Sequence, residues 1–503
     1  MADLAERSIA EWQALMHKGE ISAVQLSDAF ISRMASHDVL VHAIAEVNPD
    51  ALEIAAERDA ERRSHGARSP LHGIPIVVKD NIDSADAMAT TAGSLALEGH
   101  IAERDAYVIA RLREAGAVLL AKTNLSEWAN FRSTRSASGW SSRGGQVRNP
   151  YARDRSPCGS SSGSGVAVAA NFTVAALGTE TDGSVVCPAS VNGIVGLKPT
   201  VGLVSRTGIV PISHSQDTAG TMTRCVADAA LLLQAIAGSD PEDPATQAAQ
   251  LQDYSALLHP DGLQGARIGV ARDYFGKHEA ADALIEDALQ VLEALGATLV
   301  DPVTMPNLSL FGEAEFEVLL HEFKHDLNAY LASHRTPFAD LEALIHYNRA
   351  QAAQVMPYFQ QELFELAQAK GDLQSAVYQQ ARATALRLSR DEGIDQALRN
   401  HQLDALIAPT QTPAWMIDPI CGDKVLGGCS SPAAMAGYPH ITVPAGYVHG
   451  LPVGLSFFSS AWQEAKLLQY AYAFEQATQW RQPPTFAAHA AGLEPPQGLA
   501  VES

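Results

Sequence analysis

Two serine- and glycine-rich segments and one lysine are the residues of this chain best equipped for chemistry. The first segment is Cys158-Gly159-Ser160-Ser161-Ser162-Gly163-Ser164-Gly165, and the second is Gly178-Thr179-Glu180-Thr181-Asp182-Gly183-Ser184. Glycine lets backbone N–H groups approach a ligand with no Cβ in the way, and successive turn amides form a concavity that attracts anions. A serine in such a nest could attack a carbonyl whose developing oxyanion those amides hold. The same composition also suits a flexible linker or an ordinary turn. Lys79 bears on the choice. It closes the apolar run Ile74-Pro75-Ile76-Val77-Val78, a strand expected to be buried, with Asp80 and Asp83 as the nearby charges. A lysine in water has a pKa of about 10.4, so making it a base at neutral pH costs about 4.6 kcal/mol. Burial can supply a shift of that size by penalising the ammonium. A lysine at the surface, or paired with Asp80, would not be a base.

The elements that must position these groups alternate between helical and strand patterns. Apolar residues keep helical spacing within 7–65. Strand-like runs follow at 74–78, ending in Lys79-Asp80-Asn81, and at 117–120, ending near Lys122-Thr123-Asn124, with a helix expected over 105–115 between them. Residues 132–165 read as a long loop of Ser, Gly and Arg, and loops of that length in compact domains are functional or disordered. A buried helix is expected over 166–176, another over 226–237, a polar connection over 238–260, and strands at 267–271, 405–408, 441–444 and 453–458. Residues 492–503 read as a tail. The pattern predicts one α/β domain spanning 1–503, a twisted mixed β-sheet covered by helices on both faces. A mainly helical insertion or cap is expected over 280–400.

Taken together, Lys79, the Gly159-Ser160-Ser161-Ser162-Gly163 loop and the segment ending in Ser184 resemble the amidase signature family. Ser184 stands 24 positions after Ser160, the family's separation between bridging serine and nucleophile. Further matching motifs are His72-Gly73-Ile74-Pro75, Lys122-Thr123-Asn124, Gly196-Leu197-Lys198-Pro199-Thr200, Asp217-Thr218-Ala219-Gly220 and Gly437-Tyr438-Pro439, so the likeness runs over about residues 5–480. The resemblance implies a Ser–cis-Ser–Lys triad. Ser184 would be the nucleophile, Ser160 the bridge behind a cis peptide bond, and Lys79 the neutral base. Backbone N–H groups of Thr181, Asp182, Gly183 and Ser184 would hold the oxyanion, with no metal or cofactor.

Asp182 departs from the glycine common in the family, and its carboxylate is expected to turn away or be hydrogen-bonded. The run Glu180-Thr181-Asp182-Gly183-Ser184-Val185-Val186-Cys187-Pro188 resembles the branch of bacterial peptide amidases and aryl acylamidases, as does Glu127-Trp128-Ala129-Asn130-Phe131. Trp128, Asn130 and Phe131 are candidate substrate contacts. The implied activity is hydrolysis of an amide, C-terminal peptide amides first and aryl or other acyl amides next. An ammonia-delivering subunit of an amidotransferase assembly is the alternative from another class.

Three other patterns compete. His321-Glu322-Phe323-Lys324-His325 satisfies HExxH, a zinc-peptidase spacing, but no third ligand follows from the sequence. Ser161 sits in GxSxG, yet Arg153-Asp154-Arg155-Ser156-Pro157 is not the strand that a nucleophile elbow needs. His214 lies near Ser213 and Asp217, but triads assemble from distant segments.

Composition bounds the partners. The net charge of −22 repels phosphate backbones and anionic lipid, so neither nucleic acid nor a membrane surface is expected. Among 503 residues no run of eighteen uncharged apolar ones occurs. The acidic start predicts a cytoplasmic protein as the chain stands, although a processed, exported chain would read the same way. Five cysteines without CxxC predict reduced thiols rather than disulfides. A monomer or homodimer is expected.

Overall fold

The computed structural model describes residues 6–492; the start of the acidic N-terminal stretch and nearly all of the expected 492–503 tail lie outside the described residues. Eleven strands form one mixed sheet. In chain order they are β1 (Ile44–Val47), β2 (Pro75–Lys79), β3 (Val118–Thr123), β4 (Ala175–Glu180), β5 (Val195–Lys198), β6 (Thr218–Thr223), β7 (Arg267–Ala271), β8 (Thr298–Val303), β9 (Ala405–Pro409), β10 (His440–Val448) and β11 (Leu451–Phe458). Their order across the sheet is β1-β3-β2-β4-β6-β5-β10-β11-β9-β7-β8. β3, β2 and β4 are mutually parallel, as are β9, β7 and β8, and the strands between these groups pair antiparallel.

The central strands are short apolar or small-residue runs, and β2, β3 and β4 are buried at every position. That is the burial expected where helices cover both faces of a parallel segment. The helices Ser162–Ala169 and Val186–Val191 pack on the sheet, as do Val226–Ile236, Glu279–Ala294 and Glu464–Thr478. Ser8 and Ser22 start the first two helices with reciprocal capping boxes to Glu11 and Gln25, fixing where each begins.

Three details differ from the sequence reading, the first being that strand β1 (Ile44–Val47) interrupts the stretch 7–65 whose spacing predicted helices. The helix expected over 166–176 runs Ser162–Ala169 and ends before Asn171, which adopts a left-handed φ of 55°; β4 then begins at Ala175. Asn tolerates that conformation better than most residues, so it stops the helix without glycine. The stretch 280–400 also holds strand β8, an edge strand exposed along much of its length and carrying Pro302, so it lacks the apolar run that marks the other strands. The helices from Phe311–Ser333 to Asp395–His401 lie outside the sheet. Phe323, Leu327 and Phe364 from this group close a satellite core over Trp128 and Phe131.

Candidate active site

Parallel strands β2 and β4 end on the same edge of the sheet, where α/β folds place ligands. β2 ends in Lys79 and β4 carries Thr179, so register brings these two side chains together. Lys79 is fully buried. Its Nζ donates to Ser160 Oγ at 2.7 Å, to Thr179 Oγ1 at 2.7 Å and to the Thr179 carbonyl at 3.3 Å. Asn81 Nδ2 donates to the same Thr179 hydroxyl at 3.0 Å. No carboxylate is among the hydrogen-bond partners of Lys79. Burial therefore lowers its pKa to about 7, with Asp217 and Glu180 pulling partly the other way. Asp80 is no partner of Lys79: it accepts from Thr91 and pairs with Arg143 at 3.1 Å.

Two other lysines are as deeply buried, but Lys122 bonds to Thr90 and a carbonyl, and Lys198 bonds to the Pro199 carbonyl. Of these three, only Lys79 meets a serine hydroxyl.

Ser160 reaches Lys79 from the loop before the helix Ser162–Ala169, and the Gly159–Ser160 peptide bond is cis. The Ser160 carbonyl accepts from Ser126 N at 3.1 Å, and Ser161 N donates to the Ser184 carbonyl at 3.2 Å, joining the two glycine-rich segments side by side. Gly183 has φ 76°, and a Cβ there would come within 2.9 Å of Ser430 Oγ, so the turn before Ser184 requires glycine on both counts. Glu180 anchors the turn from within. Its Oε2 accepts from Val185 N at 2.7 Å and Val186 N at 3.0 Å, and it is buried. Among the described residues no acceptor meets the amides of Asp182, Gly183 or Ser184, so these donors are unspent.

Burial differs among the three candidate catalytic groups. Lys79 and Ser160 are 0% exposed and Ser184 is 8% exposed. Among the described residues the Ser184 hydroxyl has no hydrogen-bond partner; contacts of this kind often tighten only once substrate is bound. A cavity of about 590 Å³ opens beside the strand ends, lined by Asn81, Thr179, Thr181, Asp217, Ala129 and Tyr330 but not by Lys79, Ser160 or Ser184. Asp217 accepts from Thr181 Oγ1 at 2.6 Å and from two backbone amides, and burial raises its pKa to about 6.

A disulfide corrects the expectation of reduced thiols. Cys158 and Cys187 are bonded, one just before the cis peptide and the other three residues after Ser184. The two cysteines are 29 residues apart in sequence and meet only because the fold stacks the two segments, so no local spacing motif could reveal them. Cys225, Cys421 and Cys429 are free.

The candidate substrate contacts lie differently. Trp128 and Phe131 are buried against Phe364 and Phe323 of the outer helices. Asn130 is half-buried and donates to Ser138 at 3.2 Å, and its amide lies beside Gly159. The competing motifs do not assemble. His321 turns to the Glu317 carbonyl and Ser375, while His325 is exposed and bonds Asp326. Glu322 accepts from Ser213, Ser215 and Tyr378. Ser161 is fully buried, donating to the Thr179 carbonyl and accepting from its amide. His214 pairs with Asp326 and not with a serine. Sequence reasoning gave Asn81, Thr179 and Asp217 no role at the site although they lie in quoted runs, and it missed Gln216 and Glu315, which no motif singles out.

The chain matches the Amidase family over residues 25–468. It is 39% identical to a probable amidase of Arabidopsis thaliana, over 96% of this chain and 92% of that protein. It is 38% identical to a glutamyl-tRNA(Gln) amidotransferase subunit of Halorhodospira halophila, over 94% and 98%. The crystal structure of native peptide amidase from Stenotrophomonas maltophilia superposes with a TM-score of 0.92 at 53% identity, covering 96% of this chain and 99% of that one. No described helix is long and apolar enough to cross a membrane.

Proposed function

The chain belongs to the amidase family and hydrolyses amide bonds, and on that premise we propose that it is a serine amidohydrolase acting on C-terminally amidated peptides, releasing ammonia. Aryl and other acyl amides form the next substrate class. In this reading Ser184 Oγ attacks the amide carbon. Its proton passes to Ser160, and Ser160 gives its own to the neutral amine of Lys79. The carbonyl oxygen becomes an oxyanion held by the free turn amides of Asp182, Gly183 and Ser184. When the C–N bond breaks, the proton returns by the same route to the leaving nitrogen. Water then enters, gives its proton to the same relay, and cleaves the acyl–Ser184 ester.

The observation that carries this reading is the 2.7 Å contact between Lys79 Nζ and Ser160 Oγ in a fully buried setting, which makes the amine a base near neutrality. The name of the Stenotrophomonas maltophilia protein, a peptide amidase at 53% identity, supports the substrate class. The test is to supply the purified chain alone with a peptide amide and with the matching anilide. Ammonia release from the amide, faster than aniline release, is expected. Preference for the anilide would reassign the substrate. No turnover of either until partner chains are added would favour a component of an amidotransferase, the role named for the Halorhodospira halophila relative.

A further inference from the structure

The carboxyl group of Asp182 lies in the turn that would bind the oxyanion, and its surroundings hold a second carboxyl from far away in sequence. Ser431 Oγ donates to Asp182 Oδ2 at 2.7 Å. Asp182 Oδ1 is buried and has no nitrogen or hydroxyl donor. Glu315, from the first turns of the helix Phe311–Ser333, comes close enough for its carboxyl to interact with that of Asp182. Glu315 Oε1 accepts from Gln216 Nε2 at 2.9 Å, and the same amide nitrogen donates to the Thr181 carbonyl at 3.2 Å. A belt of hydrogen bonds thus runs from Thr181 through Gln216 to Glu315 and from Asp182 to Ser431, with the two carboxyls neighbouring each other at its one gap. It encircles the two residues that lead into Gly183 and Ser184.

Two carboxyls in contact attract only when a proton lies between them. We propose that Glu315 is a positioning residue for the reaction: its protonated carboxyl donates to Asp182 Oδ1 and holds that side chain, with its charge, away from the oxyanion. The proposal rests on the reading of Ser184 as nucleophile and of 181–184 as the oxyanion turn. It accounts for the orphaned oxygen of Asp182 and for an aspartate sitting where negative charge must develop.

Burial and the neighbouring Asp182 push the Glu315 pKa up to about 8. Around Asp182 the other titratable groups are Glu180, Lys198, Tyr274 and Cys429; around Glu315, Asp182 is the titratable neighbour and Gln216 the polar one. Loss of the Glu315 proton removes the donor to Asp182, so the belt opens on the alkaline side of neutrality and activity falls there.

The experiment is a kcat and KM series against pH for the full chain and for Glu315→Ala and Glu315→Gln, each checked for folding by its thermal transition. Glu315→Ala is expected to lower kcat by about tenfold with little change in KM. Glu315→Gln keeps a donor towards Asp182 and cannot ionise. It is expected to recover most of the lost kcat and to abolish the alkaline limb, which a merely structural role would leave alone. A Glu315→Gln enzyme with the wild-type alkaline limb, or a Glu315→Ala enzyme with wild-type kcat, overturns the proposal. Ser184→Ala serves as the separate control. If that variant stays active, the nucleophile reading fails, whatever Glu315 does.

Discussion

Lys79 Nζ stands 2.7 Å from Ser160 Oγ, and its other hydrogen-bond partners are the hydroxyl and carbonyl of Thr179. A buried ammonium held by neutral oxygens, with no carboxylate among its hydrogen-bond partners, gives up its proton readily. The acidic side of the activity profile follows from this. Protonated Lys79 cannot accept a proton, so kcat/KM should rise with unit slope as pH increases and bend near the Lys79 pKa of about 7. A profile that peaks near pH 5 would remove Lys79 from the role of base.

Removing the hydroxyl of Ser184 should abolish turnover and leave the fold alone. Ser184→Ala is expected to cost at least about a thousandfold in kcat while changing stability by less than about 0.5 kcal/mol. Steady-state kinetics and thermal unfolding on one preparation check both halves. Residual activity near the wild-type level would mean another residue attacks.

Lys79→Met should be inactive and yet more stable. The folded pKa of about 7 lies below the unfolded value of 10.5, so between those limits the unfolded chain binds the extra proton and stability rises with pH. The penalty is therefore full below about pH 7 and vanishes above about 10.5. Methionine escapes it but loses the bonds to Ser160 and Thr179, leaving a net gain of roughly 2 kcal/mol at pH 7. Urea unfolding at pH 7 and pH 10 should show the gap narrowing as pH rises. A constant gap would contradict the depressed pKa.

Reducing the Cys158–Cys187 bond should loosen both segments that carry the serines. Closing a loop of that separation is worth about 2–4 kcal/mol by chain entropy. Mild thiol treatment, or Cys187→Ser, should therefore lower the melting temperature and reduce kcat. Mass spectrometry after alkylation should find the two cysteines blocked only after reduction. Unchanged melting and kcat with both thiols alkylated would show the tie to be idle.

Much of the site was legible because its chemistry depends on residue types in fixed local runs. Lys79 closes an apolar strand, and glycine is required at 183 by a positive φ and by Ser430. The strands at 267–271 and 405–408 were equally plain, being buried apolar runs. What stayed hidden depends on register or on distant packing. Thr179 meets Lys79 because β2 and β4 run parallel, and Glu315 meets Asp182 only after the outer helices fold over the sheet. The Cys158–Cys187 pairing belongs to the same class. Strand β8 was missed for a different reason, since an exposed edge strand lacks the apolar signal of a covered one.

The inward gradient of accessibility has a kinetic corollary. With Lys79 and Ser160 sealed and Ser184 the most exposed of the three, the proposed relay meets bulk water only at its Ser184 end, where the acyl group would sit. A proton taken up during acylation is then captive until the departing nitrogen collects it, and one taken from the entering water leaves only as the ester opens. Each half-reaction is thereby self-balancing in protons, and external buffers should leave the rate of either untouched.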